Sequence, residues 1–296
     1  MLESLSIFCP AKINLGLKVS AKRPDGYHDL QSIFMTVPLF DRMEVRLAGR
    51  NGTCQVDCEP VGLPRRNTIT AACDAFRDVM DFKGGVKVHI EKHIPIGGGL
   101  GGGSSDAASF VWALGVMLGM QDDTDWLTLI AGKTGSDSFF FAHALASLSN
   151  LETFEPFAAV VEGRGEKVRA IPCRKDFCVL LSFPDLSVST AEAYEMLDNQ
   201  RGAGGFFSES IDFYPEKMYN LRVRDWKFEN DFTVPLSARS VEIADALQDM
   251  RSSGADFCDM TGSGSAVFGV FEDIRKAERA EKVLGKKRGV ALCSFV

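Results

Sequence analysis

The stretch Pro95-Ile-Gly-Gly-Gly-Leu-Gly-Gly-Gly-Ser-Ser-Asp-Ala-Ala-Ser109 is the most informative part of this 296-residue chain. Six of the seven residues from 97 to 103 are glycine. Glycine costs backbone entropy and packs nothing, so a run this dense needs a physical reason. Just upstream, Val86, Val88 and Ile90 alternate with polar residues, which predicts a strand. Downstream, from about Ser105 to Leu118, apolar residues run nearly all round a helix, which predicts burial. A glycine loop in that setting brings backbone N–H groups and a helix N-terminus close to an anion, with Ser104 and Ser105 as hydroxyl donors. A flexible linker is the bland alternative, but linkers are not followed at once by a buried helix. Phosphate binding is the better reading. Gly97, Gly99 and Gly102 formally satisfy GxGxxG, yet Asp122 and Asp123, at about the offset of a ribose-binding acid, follow the helix with no intervening strand. Ala131-Gly-Lys-Thr134 mimics the end of a Walker A loop, but Leu127 stands where that loop needs glycine.

The rest of the chain mixes strands and helices without a steady βα rhythm, which argues for an α+β fold over a doubly wound sheet. Strands are expected at Lys12–Val19, Met43–Leu47, Gln55–Cys58, Cys178–Ser182, Ala266–Phe271 and Val290–Phe295, with a short aromatic one at Phe139–Phe141. Val160–Ile171 predicts a hairpin turned at Gly163-Arg-Gly165. Helices are expected at Asn67–Val79, Trp126–Thr134, Thr190–Leu197, Val241–Met250 and Ile274–Leu284. Residues 202–231 look like a loop-heavy insertion, and the change of character near 155 marks the domain boundary.

Thirty-three Lys and Arg against 40 Asp and Glu give a net charge of −7, and there is no dense basic block. That excludes a general nucleic-acid binder but leaves room for a local basic pocket. The longest apolar run, Phe110–Met120, is 11 residues, short of the roughly 18 that span a bilayer. The N-terminal segment lacks the pattern of a signal peptide, so a cytoplasmic protein that does not engage membranes is expected. Eight cysteines without a CxxC pair predict reduced thiols packed as small apolar residues. His89 and His93 have zinc-pair spacing only on a helix; on the expected strand they stand about 13 Å apart, and metal binding by histidine is rejected.

The candidate chemistry is ionic. On the first strand Ile13, Leu15, Leu17 and Val19 face one way, and Lys12, Asn14, Gly16 and Lys18 the other. Lys12 and Asn14 are then about 6–7 Å apart on one face, where a lysine can stabilise a transferring phosphoryl group or a neighbouring carboxylate. Asp137, in Gly135-Ser-Asp-Ser-Phe-Phe-Phe141, is an acid set against three aromatics. Desolvation would raise its pKa and a nearby lysine would lower it again. A second glycine loop, Met260-Thr-Gly-Ser-Gly-Ser-Ala-Val267, could close the other side of a phosphate site. Each feature alone is ordinary; together they point to phosphoryl transfer.

These residues resemble a known family. Pro10-Ala-Lys-Ile-Asn-Leu15, the 97–109 loop and the 261–265 loop are similar to the three signature motifs of the GHMP small-molecule kinases. Arg23-Pro-Asp-Gly-Tyr-His-Asp-Leu30 and Gly163-Arg-Gly-Glu166 resemble the branch of that family that phosphorylates 4-diphosphocytidyl-2-C-methyl-D-erythritol in non-mevalonate isoprenoid synthesis. The resemblance runs through most of the chain and is strongest at 9–40 and 94–110. It implies a two-domain α+β fold: an ATP-binding domain of ribosomal-protein-S5-like type over 1–155, and a substrate-side, ferredoxin-like domain over 156–296. ATP would be bound by Asn67, Pro95, Gly97, Gly98, Gly99, Leu100, Gly101, Gly102, Gly103, Ser104 and Ser105, with Asn67 near the adenine. Mg²⁺ would neutralise the phosphates through water or hydroxyls, without a dedicated protein metal site. Asp137 would take the proton from, or orient, the C2 hydroxyl, and Lys12 would keep Asp137 ionised and stabilise developing charge. Asn14, Tyr27, His28, Tyr194, Gly262, Ser263 and Gly264 would hold the cytidine diphosphate-linked polyol, Tyr27 and Tyr194 by stacking and His28 by hydrogen bonding. A monomer or weak homodimer is expected.

The chain departs from the family where Ser136-Asp-Ser-Phe139 replaces the usual Ala-Asp-Val-Pro, which keeps the acid and alters its wall. Residues 200–231 have no counterpart that the resemblance places. Three other readings stay open: another kinase of the same fold, of mevalonate or homoserine type; a catalytically silent nucleotide-binding regulator; and a nicotinamide-dependent oxidoreductase built on the formal GxGxxG.

Overall fold

The computed structural model describes residues 2–49, 52–120, 124–148, 153–202 and 214–295. Asp122, Asp123 and residues 203–213 of the supposed insertion therefore lie outside the described residues. The first half of the chain runs through β1 (Ser4–Lys22), β2 (His28–Leu47), β3 (Cys54–Glu59), α1 (Thr68–Met80), β4 (Val86–Glu91), α2 (Gly102–Met117), α3 (Asp125–Thr134) and α4 (Ser136–Ala146). The second half continues with β5 (Ala158–Gly163), β6 (Lys167–Ile171), β7 (Cys178–Phe183), α5 (Thr190–Gly202), α6 (Pro215–Tyr219), α7 (Thr233–Arg239), α8 (Val241–Ser252), β8 (Phe257–Met260), β9 (Val267–Phe271), α9 (Ile274–Leu284) and β10 (Gly289–Ser294). Two compact units result, each assembled from separate stretches of chain. One comprises Met1–Ala11, Leu39–Ile94 and Gly101–Glu155; the other comprises Lys12–Pro38, Pro95–Leu100 and Pro156–Val296.

In the first unit the far half of β2, Arg42–Leu47, pairs antiparallel with β4, and β4 pairs in parallel with β3. Helix α1 buries Ile69, Ala72, Cys73 and Phe76, one stripe at helical spacing. Its N-cap, Asn67, accepts hydrogen bonds from the N–H groups of Ile69 and Thr70, each at 3.0 Å. Helix α2 is buried on nearly every side and packs against α1, α3 and α4. Gly115 is required within it, because the indole of Trp126 from α3 occupies the space a Cβ would need. Phe139–Phe141 is not a strand but part of α4. Its aromatic run has a strand-like composition, yet Ser138, Phe140, Phe141, Ala142, Ala144 and Leu145 are all buried, and that packing overrides intrinsic preference.

In the second unit the near half of β2, Leu30–Met35, pairs antiparallel with β5, and β5 with β6, forming the hairpin expected around Gly163 and Gly165. A separate antiparallel sheet has the order β10-β7-β9-β8. Helix α8 packs on β8 and β9, and α9 on β7 and β10. The run β7–α8–β8–β9–α9–β10 is thus a βαββαβ arrangement. Strands β7 and β9 are its core: Cys178–Ser182 and Val267–Phe271 are buried at every position, as continuous apolar runs require. The stretch after 213 is more ordered than a loop-heavy insertion, with α6 and a 3₁₀ turn at Val223–Asp225 anchored by buried Tyr219, Val223 and Trp226. No helix among the described residues is long and apolar enough to cross a membrane.

Candidate active site

The second unit draws three of the sequence motifs into one buried network. Strand β1 delivers Lys12 and Asn14, which are 3% and 1% exposed, so these two positions of its polar face are as buried as its apolar face. A buried ammonium needs partners, and Lys12 Nζ donates to Asn14 Oδ1 at 2.7 Å and to the Gly99 carbonyl at 2.9 Å. It also lies 4.9 Å from the centroid of the Phe34 ring. Asn14 donates its backbone N–H to Thr261 Oγ1 at 3.1 Å and its side-chain amide to Ser32 Oγ at 3.3 Å. The two glycine loops interlock here. Gly98 accepts from the N–H of Ala266 at 3.1 Å, and Gly99, at a φ of 75°, has the Thr261 carbonyl oxygen where its Cβ would be. Asn230 holds the second loop from behind, donating to the carbonyls of Met260 and Gly262 at 2.9 and 2.8 Å. Ser263 meets Thr190, hydroxyl to hydroxyl, at 3.1 Å.

Tyr27 and His28 sit at the start of β2 in the same unit. Arg23-Pro-Asp-Gly26 turns as expected, with Arg23 paired to both Asp25 and Asp29. Tyr27 is half-exposed, and the guanidinium of Arg164 lies over its ring. His28 is buried, its Nδ1 3.0 Å from the Ser20 carbonyl and its Nε2 3.4 Å from Asp198. The carbonyl can only accept, so Nδ1 carries a proton. Tyr194 stacks on His28 at 5.0 Å and meets Phe232 edge-on at 4.9 Å. The structure thus brings Tyr194 to His28 and places Arg164 against Tyr27.

In the first unit, three helix N-termini converge. A Cβ on Gly103, in the first turn of α2, would lie 3.5 Å from Thr68 at the start of α1. One on Gly135, the N-cap of α4, would lie 3.7 Å from Ser104 Oγ. Helix α2 begins at Gly102, three residues before the expected start, after Gly101 in the left-handed conformation. No side chain caps it and its first turn holds no acid. The hydroxyl of Ser105 is buried with no hydrogen-bond partner. Unpaired first-turn N–H groups beside an orphaned hydroxyl suit the oxygens of a phosphate. Asp137 is half-buried in the first turn of α4. Asn67 is fully engaged as a cap: beyond the two N–H groups it accepts, its amide donates to the Pro64 carbonyl at 2.9 Å.

Sequence reasoning missed the group that fastens the two ends of the glycine segment in this unit. Lys92, at the end of β4, donates to Asp41 Oδ2 at 2.5 Å and to Asp106 Oδ2 at 2.7 Å. Asp41 Oδ1 accepts the backbone N–H groups of His93 and Ile94 at 2.6 and 2.8 Å. One cation faces two buried acids, and Asp106 Oδ1 has no partner. Burial drives the Asp106 pKa up to about 7, with Lys92 pulling the other way. Burial works against the Lys92 charge too, but Asp106 and Asp41 outweigh it and hold its pKa above the ordinary value. Among the described residues, no group of three or more His, Cys, Asp and Glu could hold a metal ion.

The matches to known proteins agree with this chemistry. The family model described as GHMP kinases N terminal domain matches residues 67–144, and the one described as GHMP kinases C terminal matches residues 226–291. The chain belongs to the GHMP kinase family, and as a kinase of that family it uses ATP as phosphoryl donor. The match to the C-terminal model corrects part of the insertion reading, since 226–231, with Asn230, is family sequence. A 4-diphosphocytidyl-2-C-methyl-D-erythritol kinase from Treponema pallidum is 35% identical over 299 residues, covering 97% of this chain and 96% of the relative. A crystal structure of 4-(cytidine 5'-diphospho)-2C-methyl-D-erythritol kinase superposes with a TM-score of 0.78 at 29% identity, covering 98% of each chain. Homoserine kinase from Cytophaga hutchinsonii, with a TM-score of 0.66 at 19% identity over 100% of this chain and 96% of its own, shows the shared fold alone.

Proposed function

We propose that the protein transfers the γ-phosphoryl group of ATP to the C2 hydroxyl of 4-diphosphocytidyl-2-C-methyl-D-erythritol, giving the 2-phosphate and ADP for isoprenoid precursor synthesis. The observation that carries this reading is the end-to-end likeness, at 35% identity, to the Treponema pallidum kinase named for that substrate. In the transfer, the C2 oxygen bonds to the γ-phosphorus while the bond from that phosphorus to the β–γ bridging oxygen breaks, and the hydroxyl proton leaves. Asp137 orients the hydroxyl or takes that proton. Lys12, fixed through Asn14 and Gly99, stabilises negative charge on the transferring group. Pro95 to Ser105 form the phosphate loop, with the α2 N-terminus and the Ser104 and Ser105 hydroxyls as donors. Gly262, Ser263 and Gly264 line the substrate side, Asn14 bonds the polyol, and Tyr27, His28 and Tyr194 form the base subsite. A polar contact from Asn67 to adenine requires it to give up part of its cap. Mg²⁺ brought with ATP would supply charge neutralisation at the phosphates. The reading fits a cytoplasmic enzyme with reduced thiols, acting as a monomer or weak homodimer, on a small molecule.

The test is ADP release from Mg-ATP with 4-diphosphocytidyl-2-C-methylerythritol, mevalonate or homoserine, for wild type and Asp137→Ala. Turnover of the cytidyl substrate alone, lost in the variant, is the expected result. Turnover of mevalonate or homoserine instead removes the cytidyl assignment and leaves the kinase. No ADP from any substrate by folded protein favours a silent regulator.

A further inference from the structure

Gly163-Arg-Gly-Glu166 has no task in the phosphoryl transfer derived above, yet the fold carries it beside Tyr27 and His28, the base subsite proposed above. Strand β5 ends with Gly163 in register opposite Leu30 of β2, so the hairpin tip stands beside Tyr27 and His28. Glu166 folds back and accepts the backbone N–H of Arg164 at 2.6 Å, with Gly163 and Gly165 both at positive φ. The guanidinium carbon of Arg164 then lies 3.6 Å from the centroid of the Tyr27 ring. At that distance the guanidinium is in van der Waals contact with the ring, a contact that uses none of its N–H donors as hydrogen bonds. The neighbouring cations are neutralised: Arg23 by Asp25 and Asp29, Arg201 by Asp231, Lys22 by Asp198. Among the described residues no carboxylate pairs with the Arg164 guanidinium.

An unpaired, exposed guanidinium held over a tyrosine ring keeps its donors available to an anion. Stacking limits its freedom without consuming its N–H donors, so little entropy remains to be lost when an anion arrives. Building on the substrate assigned above, we propose that Arg164 is a specificity residue that binds the diphosphate of the cytidine diphosphate-linked substrate, separately from the base contacts of Tyr27 and His28. It selects for a nucleoside diphosphate over a bare polyol or a nucleoside, and gives the Gly-Arg-Gly-Glu tip its function.

Cytidine, CMP and CDP separate base from phosphate recognition. Their affinities for wild type, Arg164→Gln, Arg164→Lys and Tyr27→Ala are measured by calorimetry at low and moderate salt. Wild type binds CDP more tightly than cytidine. Arg164→Gln weakens CDP about 10-fold, the scale of one charge-assisted contact, and leaves cytidine unchanged. Arg164→Lys, which keeps the charge, recovers most of the loss, and Tyr27→Ala weakens all three ligands. In turnover, Arg164→Gln raises KM for the cytidyl substrate with KM for ATP at its wild-type value. Equal weakening of cytidine and CDP by Arg164→Gln means the side chain only braces the Tyr27 ring and overturns the proposal. No binding of any cytidine compound by wild type overturns the cytidyl assignment itself, a result distinct from intact CDP binding in Arg164→Gln, which overturns the Arg164 role alone.

Discussion

Replacing Asp106 by asparagine removes the surplus negative charge of the Lys92 cluster at almost no change in shape. The acid is 2% exposed, shares a single ammonium with Asp41 and leaves one oxygen unpartnered. Its pKa rises from an ordinary 3.8 to about 7, chiefly through burial. A raised carboxyl pKa means that the folded protein keeps a proton the unfolded chain has already lost. Stability therefore falls as pH climbs from about 4 to about 7, and the loss is complete above that. Integrating the linkage between pH 5 and pH 8 gives about 2–3 kcal/mol lost through this one group. Asparagine cannot ionise, so D106N should lack that part of the slope and be the more stable protein at pH 8 by up to a similar amount. Urea unfolding at pH 5 and pH 8 measures this, followed by tryptophan fluorescence, since Trp112 and Trp126 lie on α2 and α3 of the same unit. An unchanged pH slope in D106N, or a variant less stable than wild type at pH 8, would refute the reasoning.

Three further outcomes are expected. Gly99→Ala must drive a Cβ into the Thr261 carbonyl at a backbone φ of 75°, so it should lose about 1–3 kcal/mol and most activity; Gly98→Ala, whose nearest contact is 3.5 Å, should keep its Tm. Asn67→Ala strips both side-chain bonds from the start of α1 and should lower stability by about 1 kcal/mol, with Asn67→Asp restoring most of it in thermal melts. Asp137→Asn and Lys12→Met should each reduce kcat by about 10²–10⁴, and the double variant should be little worse than either, because the two act on one step; fully additive losses in ADP release would argue against that.

What the sequence made legible was local. The amphipathic stripe of α1, the hairpin at Gly163 and Gly165 and the apolar runs of β7 and β9 each follow from periodicity within a dozen residues. The first glycine loop stood out by composition alone, whereas Lys12 and the second loop, each ordinary by itself, drew attention only in combination with it. What escaped depends on partners distant in the chain. The alternation at 12–19 set Lys12 and Asn14 on one polar face, and only the fold reveals that Asn14 there meets Thr261 and Ser32. Asn230 looked like part of an insertion because nothing nearby tells that it holds residues 260–262. Asp106 sits in the stretch that drew most attention, yet its strained ionisation needs Lys92 and Asp41 brought to it. The triple phenylalanine misled because β-propensity is a surface-fit preference, and here the fit was to neighbouring helices.

The hydrogen bond from Asn14 to Thr261 closes a loop of 247 residues, and this has a consequence for how the protein is born. At roughly 5–20 residues per second of synthesis, about 12–50 seconds separate the emergence of the two partners from the ribosome. Through most of that interval Leu17, buried in the finished protein, lacks its backbone partners Glu229 and Asp231, which belong to the same unit. Lys12 likewise lacks the Gly99 carbonyl until the first glycine loop appears, and Asn14 lacks Thr261 until a further 247 residues have been made. The network around Lys12 and Asn14 is therefore incomplete until residue 261 has been made, and β1 stays without these partners along the way.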